Sequence, residues 1–95
     1  MNIEITKNAK DYLEKKNKNI IVIKLEEIQC WGGRQNRSIR IIATEKINNI
    51  EEYDKYIMED YTIYIGKNLI AGNKVILDSK KFLFSTYLVQ SGISY

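Results

Sequence analysis

The sequence predicts a β-rich α+β fold in a single domain that covers residues 1–95. One amphipathic helical segment lies near the N-terminus, short apolar segments with strand-like alternation follow it, and no helical segment separates those later strands. Without helical crossovers, neighbouring strands pair mostly in an antiparallel manner. We therefore expect one N-terminal helix and about seven short, mostly antiparallel strands around one modest core.

The first two elements are a short strand and the helix. Asn2–Ile5 alternates polar and apolar residues, which predicts a strand. Thr6 has the side chain of a helix N-cap, and we place the helix over residues 7–16. Ala9 and Leu13 lie four positions apart, so they share one apolar stripe on that helix.

A long hairpin is expected over residues 20–44. Residues 20–29 form its first strand, with a change of phase after Glu26-Glu27 that predicts a β-bulge there. Residues 30–37 are rich in turn formers and predict a wide loop, after which Ser38–Thr44 resumes as the second strand.

The second half of the chain reads as short strands joined by turns. The acidic residues 45–55 hold at most one turn of helix, and Tyr56–Met58 then pairs with Tyr61–Ile65 around the turn Glu59-Asp60. A further turn is predicted at 78–80. The remaining strand-like segments are Lys74–Leu77, Phe82–Phe84 and Tyr87–Val89.

Composition excludes several function classes. The chain has no histidine and one cysteine, so Ser–His and Cys–His catalytic pairs, histidine-based zinc sites and an intramolecular disulfide are ruled out. The adjacent carboxylates of Glu26-Glu27 point to opposite faces of a strand and cannot work as an acid/base pair. We expect a protein that is not an enzyme.

Localisation is predicted from the apolar runs and from the thiol. The longest apolar run is Ile20–Ile23, far short of a membrane span, and the first residues lack a secretory signal core. A lone thiol suits a reducing compartment. We expect a cytoplasmic protein with no membrane partner.

The order of features resembles the HesB/IscA family, the A-type iron–sulfur cluster assembly and carrier proteins. The resemblance rests on the opening "ITKNAKDYL", on a long strand that ends at a cysteine before a glycine-containing loop, and on the late segment "YTIYIGKNLIAGNKVILD". Cys30 stands where that family keeps its first ligand, followed by Trp31, Gly32 and Gly33. The family's C-terminal Cys-Gly-Cys has no counterpart, because residues 90–95 hold no cysteine.

The resemblance implies a HesB-like fold and a divergent protein related to iron–sulfur cluster assembly or carriage. Cys30 is the implied metal ligand, and it would bind iron or an iron–sulfur cluster shared between the subunits of a homo-oligomer. Cluster-assembly proteins or apo-acceptors are the implied partners. The alternative is a non-catalytic binding or regulatory module that kept the fold and lost the metal, with Cys30 packed as a small apolar residue.

A second candidate site is a loop that binds an anion, a partner or RNA. All three arginines of the chain lie within seven residues, and arginine forks bind carboxylates and phosphates in a bidentate manner. The other interpretations are salt bridges to the acidic residues 45–60, or simple solvation, and nucleic acid is not favoured as a partner. The residues of this candidate site are Trp31, Gly32, Gly33, Arg34, Arg37 and Arg40.

Aromatic residues concentrate after residue 50, where most are expected to form core and cross-strand pairs. An exposed subset would serve as a contact between subunits. Tyr95 is the candidate for such an oligomer contact.

Overall fold

The computed structural model describes residues 2–29 and 35–95. Within these residues the chain forms seven strands, one α-helix and one short 3₁₀ turn. The elements are β1 (Asn2–Ile5), α1 (Lys7–Lys16), β2 (Ile20–Gln29), β3 (Gln35–Thr44), the 3₁₀ turn (Ile50–Glu52), β4 (Tyr53–Met58), β5 (Tyr61–Gly66), β6 (Ile70–Phe82) and β7 (Ser85–Ser94).

The strands form two mixed sheets, with the orders β1-β6-β7 and β3-β2-β5-β4. Strands that follow each other in the hairpins β2–β3, β4–β5 and β6–β7 pair antiparallel. Each sheet also contains one parallel pair, β1 with β6 and β2 with β5. The predicted β-rich α+β class is confirmed, with antiparallel pairs in the majority.

One apolar core draws on both sheets and on the helix. Its residues come from alternate positions of the strands, so each strand turns one face inward. In the parallel pair β2–β5, Ile21 lies beside Ile63 and Ile23 beside Ile65, and all four are almost completely buried. The buried members of the cluster are Ile3, Ile5, Ala9, Leu13, Ile21, Ile23, Tyr61, Ile63, Ile65, Leu69, Val75, Leu77 and Ile93.

The helix α1 begins and ends where the sequence predicts. The Ala9 backbone N–H donates to Thr6 Oγ1 at 3.2 Å, so Thr6 is the N-cap. At the other end Asn17 adopts a left-handed conformation, with φ of 55°, and its N–H donates to the Glu14 carbonyl. Ala9 and Leu13 are fully buried, and they attach the helix to the core.

Thr6 also joins the helix to β6. Its backbone N–H donates to the Leu77 carbonyl at 2.9 Å, and its hydroxyl donates to Asp78 Oδ1 at 2.6 Å. The same carboxylate oxygen accepts from the Ser79 N–H at 2.8 Å. These contacts hold Asp78 in an extended strand, so the predicted turn at 78–80 is wrong.

The turn of the last hairpin lies further along the chain. Phe82 pairs with Ser85, which leaves Leu83-Phe84 as a two-residue turn. The predicted strand over Phe82–Phe84 is therefore wrong as well. Leu83 has a positive φ of 56° in this turn.

Two other hairpins match the predictions in part. Tyr61 pairs with Met58, so Glu59-Asp60 is the predicted two-residue turn between β4 and β5. In β2–β3, ten consecutive residue pairs run from Ile20 with Thr44 to Gln29 with Gln35. The predicted bulge at Glu26-Glu27 is wrong, and the second strand begins three residues earlier than predicted.

The β6–β7 ladder contains one irregularity that depends on a glycine. Its register shifts between Ala71 and Ile76 of β6, opposite Gly92 of β7. Gly92 has φ of +96°, and a Cβ atom there would lie 2.1 Å from the Lys74 carbonyl oxygen. Any residue other than glycine would therefore have an unfavourable positive φ at this position, and its Cβ would also clash with the backbone of β6.

Among residues 2–29 and 35–95, no helix combines the length and the apolar character needed to cross a membrane. The one α-helix there has ten residues.

Gly92→Ala is expected to lower the free energy of unfolding by about 2–4 kcal/mol, because it combines a backbone clash with an unfavourable positive φ. Gly72→Ala is the matched control, since its Cβ would meet only the Gly92 carbonyl oxygen, at 3.3 Å. Its effect should stay within about 1 kcal/mol. Urea denaturation followed by circular dichroism measures both. Equal losses in the two variants would contradict this explanation.

The Asp78 carboxylate should make stability depend on pH. The hydrogen bond from the Thr6 hydroxyl, followed by that from the Ser79 N–H, lowers the pKa of Asp78. A lowered pKa in the folded state means that the stabilisation is present above the unfolded value of about 3.9 and is lost as pH falls through the lowered value. The stability difference between the wild type and Asp78→Asn should therefore shrink as pH falls below about 4.

Urea denaturation between pH 7 and pH 2 measures this difference. Thr6→Ser keeps the hydroxyl donor and should keep the pH dependence, whereas Thr6→Val should weaken it. A difference that stays constant over the whole pH range would contradict the assignment.

Candidate functional site: the β2–β3 hairpin

The candidate ligand cysteine follows the last paired residue of β2. Gln29 pairs with Gln35, so the connection between β2 and β3 is residues 30–34. Five of the predicted site residues, Cys30, Trp31, Gly32, Gly33 and Arg34, lie outside the described residues. The structure describes the two strands that carry them, together with Arg37, Arg40 and Tyr95.

The distal half of the hairpin extends past the rest of its sheet. β5 pairs with β2 only along Ile20–Ile23, whereas β3 pairs with β2 as far as Gln29. Residues 24–29 and 35–40 therefore form a two-stranded ribbon that continues beyond the four-stranded sheet. Six residues at about 3.3 Å each give this ribbon a length of about 20 Å.

Both described arginines are ion-paired to glutamates of β2. Arg37 Nε lies 3.3 Å from Glu27 Oε1, and Arg40 Nη1 lies 3.2 Å and 3.4 Å from the two carboxylate oxygens of Glu26. The predicted salt bridges from Arg37 and Arg40 to the acidic residues 45–60 are therefore not formed. All four side chains remain partly exposed.

The two arginines lie on opposite faces of the ribbon. Side chains alternate along a strand, so residues three positions apart point in opposite directions. Arg37 shares its face with Ile39, which packs against the core, and Arg40 is on the other face. The structure does not bring Arg37 and Arg40 together into one anion site, although they are close in sequence.

Tyr95 lies beside the same ribbon. Its hydroxyl donates to the Arg37 carbonyl at 2.9 Å, and 58% of the residue is exposed. This contact attaches the end of β7 to β3 within one chain. The exposed ring leaves the prediction of an oligomer contact open to experiment.

The nearest depression to the ribbon lies at its base. Lys24, Leu25, Tyr53 and Lys67 line it, together with the side chains of Asn49, Glu52 and Asn68. In the part of the chain that the structure describes, no three residues among His, Cys, Asp and Glu come together as a metal-binding group.

A family model, the CC/Se motif containing family, matches residues 1–93. The chain belongs to the CC/Se motif containing family. No match was found to a curated protein or to a solved structure. In this member of the CC/Se motif family the one cysteine, Cys30, stands between Gln29 and Trp31, so the sequence holds no pair of adjacent cysteines.

The glutamate partners of the two arginines were not predicted from the sequence. Glu26 and Glu27 lie on opposite faces of β2, as predicted, and they, rather than the acidic residues 45–60, pair with Arg40 and Arg37. The signal that was available is the hairpin itself, because its register sets Glu27 directly opposite Arg37. Cross-strand pairs of opposite charge are a common stabilising feature of antiparallel strands.

The Glu27–Arg37 pair should contribute little to stability, because both side chains are about half exposed. Glu27→Gln and Arg37→Gln should each lower the free energy of unfolding by less than about 1 kcal/mol, with a coupling energy of about 0.2–1 kcal/mol in the double variant. Urea denaturation of the two single variants and the double variant gives the coupling. A coupling several times larger would show that this pair, rather than the strand pairing, holds the ribbon together.

Proposed function

We propose that this protein binds iron or an iron–sulfur cluster as cargo through the Cys30 thiolate and acts as a carrier rather than as an enzyme. The observation that supports the proposal is the unbroken strand β2, which ends at Gln29, the residue directly before Cys30 in the sequence. The resemblance to the HesB/IscA family places a ligand cysteine at the end of this strand.

The number of ligands requires more than one source of donors. Iron–sulfur clusters are ordinarily held by four cysteine thiolates, and each chain supplies one. In the proposed arrangement the remaining ligands come from a second copy of the chain and from small thiols. A shared cluster of this kind is readily released, which suits a carrier.

The shape of the ribbon supports sharing between copies. Cys30 follows the part of β2 that has left the four-stranded sheet and continues, paired with β3 alone, as a two-stranded ribbon about 20 Å long. Two such ribbons can approach each other at their ends while the two cores stay apart. Tyr95 contacts the ribbon at Arg37 within one chain, and we infer that its exposed ring contributes to the same contact between copies.

Anaerobic reconstitution with ferrous iron and sulfide tests the proposal. The wild type should develop a visible-region chromophore with iron bound in proportion to the chain, and Cys30→Ser should not. Cys30→Ser/Ser38→Cys is the matched control, because it returns one thiol to the chain at an exposed position of β3. This control should remain colourless if the position of the thiol matters.

Size-exclusion chromatography of the reconstituted protein tests the sharing of the cluster. The chromophore should elute with a species of two or more chains, and Tyr95→Ala should shift that species toward the monomer. A wild type that forms no chromophore, or a chromophore of equal intensity in Cys30→Ser, would overturn the proposal and favour a binding module that has lost the metal.

A further inference from the structure

The β6–β7 hairpin ends in a cluster of exposed apolar side chains, here called the apolar tip, which consists of Phe82, Leu83, Phe84 and Tyr87. Phe82 is 67% exposed, Leu83 is 75% exposed and Phe84 is completely exposed. Single exposed apolar residues are ordinary, but contiguous ones mark a surface that another body covers.

The apolar tip exists because β6 and β7 continue past the rest of their sheet. β1 pairs with β6 only as far as Leu77, whereas β7 pairs with β6 as far as Phe82. The residues beyond Leu77 therefore form a second two-stranded ribbon, and every residue from Lys80 to Tyr87 is exposed. The side chains of the turn therefore stay exposed.

A second turn in the same chain shows that this geometry does not require apolar residues. Glu59-Asp60 and Leu83-Phe84 both close a hairpin as two-residue turns, and their first residues have φ of 55° and 56°. Such turns favour glycine, asparagine and aspartate. The chain uses acidic residues in one turn and large apolar residues in the other, so local turn preferences do not explain Leu83 and Phe84.

Four lysines, here called the basic collar, surround the base of the apolar tip. Lys80 and Lys81 precede it on β6, and Lys15 and Lys16 from the end of α1 line one shallow depression together with Phe84. All four are exposed, and among the described residues none of them belongs to an ion pair. Asp11 is the acidic residue that lines a neighbouring depression with Lys15 and Lys81.

We propose that the apolar tip inserts into the surface of an anionic lipid membrane, with the basic collar against the headgroups. Apolar side chains enter the boundary between headgroups and acyl chains, and lysines beside them are attracted to anionic lipids. The tip is convex and narrow, so a protein partner would need a preformed pocket, whereas lipids close around it. A surface contact of this kind needs no spanning segment, so it differs from the membrane partner that the sequence argued against.

The apolar tip is spatially separate from the β2–β3 ribbon, which consists of residues 24–29 and 35–40. The tip lies at the start of β7, while Tyr95 follows the end of β7 and contacts Arg37 of the other ribbon. Ten residues of strand separate the two ends by about 30 Å. Substitutions in the tip should therefore not affect iron binding at Cys30. The membrane proposal and the iron-carrier proposal can be refuted independently.

Co-sedimentation with vesicles tests the inference. The wild type should bind vesicles of equal parts phosphatidylglycerol and phosphatidylcholine at least about tenfold more tightly than vesicles of phosphatidylcholine alone. Leu83→Glu/Phe84→Asp places the acidic turn of β4–β5 at the tip and should weaken binding at least about tenfold, while the thermal unfolding temperature stays close to that of the wild type. Ile57→Ser is the matched control, because Ile57 is 72% exposed on β4 of the other sheet and should not affect binding.

Phe84→Trp tests insertion directly. With bromine-labelled phosphatidylglycerol, the tryptophan fluorescence of this variant should be quenched more than that of the wild type, which has Trp31 alone. Equal binding of the wild type and Leu83→Glu/Phe84→Asp would show attraction by charge alone and would overturn the insertion. If the wild type does not bind anionic vesicles, the proposed membrane contact is refuted, and a protein partner with a pocket for the tip becomes the alternative.

Discussion

The hydrogen bonds of Thr6 hold together β1, α1 and β6. Its N–H ends the pairing of β1 with β6 at Leu77, its side chain caps α1 at Ala9, and its hydroxyl holds Asp78 of β6. Strand, helix and sheet thus meet at one residue. Because β1 turns into α1 at this point, β6 has β7 as its sheet neighbour after Leu77, and the helix is directed onto the core through Ala9 and Leu13.

The four-stranded sheet also continues as a two-stranded ribbon, because one of its inner strands ends early. β5 accompanies β2 only as far as Ile23, and β2–β3 then continues as two strands. Isolated two-stranded ribbons are marginally stable in water, so each needs support from the domain that carries it. The β2–β3 ribbon has this support from Leu25 and Ile39, which pack against the core, and from the Tyr95 hydroxyl, which donates to the Arg37 carbonyl.

Local signals in the sequence were sufficient for the elements whose causes are local. The N-cap at Thr6, the apolar stripe of Ala9 and Leu13, and the turn at Glu59-Asp60 depend on residues within one or two turns of chain. The predicted turn at 78–80 failed because Asp78 is satisfied by Thr6, which is 72 positions away. The two parallel pairs, β1–β6 and β2–β5, likewise join segments that no local pattern connects.

The sequence predicted that the candidate site lies on the hairpin of residues 20–44, but it did not predict the register of that hairpin or the faces on which its arginines lie. The change of phase after Glu26-Glu27 was interpreted as a bulge, yet the register there is unbroken. Alternation is required only where one face of a strand is buried, and among residues 20–27 of β2 Leu25 is the last that packs against the core. Arg37 and Arg40 are close in sequence and were predicted to share one anion site. They lie on opposite faces of β3, so they do not meet there. On a strand, residues converge on one site when they are two positions apart, not three.

The turn Leu83-Phe84 is the clearest case in which local preference and structure disagree. A leucine in the left-handed region costs roughly 1–2 kcal/mol relative to glycine, which adopts that region freely. Complete removal of a Phe or Leu side chain from water returns about 1.5–3 kcal/mol. In the isolated chain the tip makes no such gain, because Phe84 is fully exposed and Leu83 nearly so. The same left-handed conformation occurs at Glu59 in the other hairpin turn, so Leu83-Phe84 is distinguished by its exposed apolar area, which is the part that the proposed membrane contact would bury.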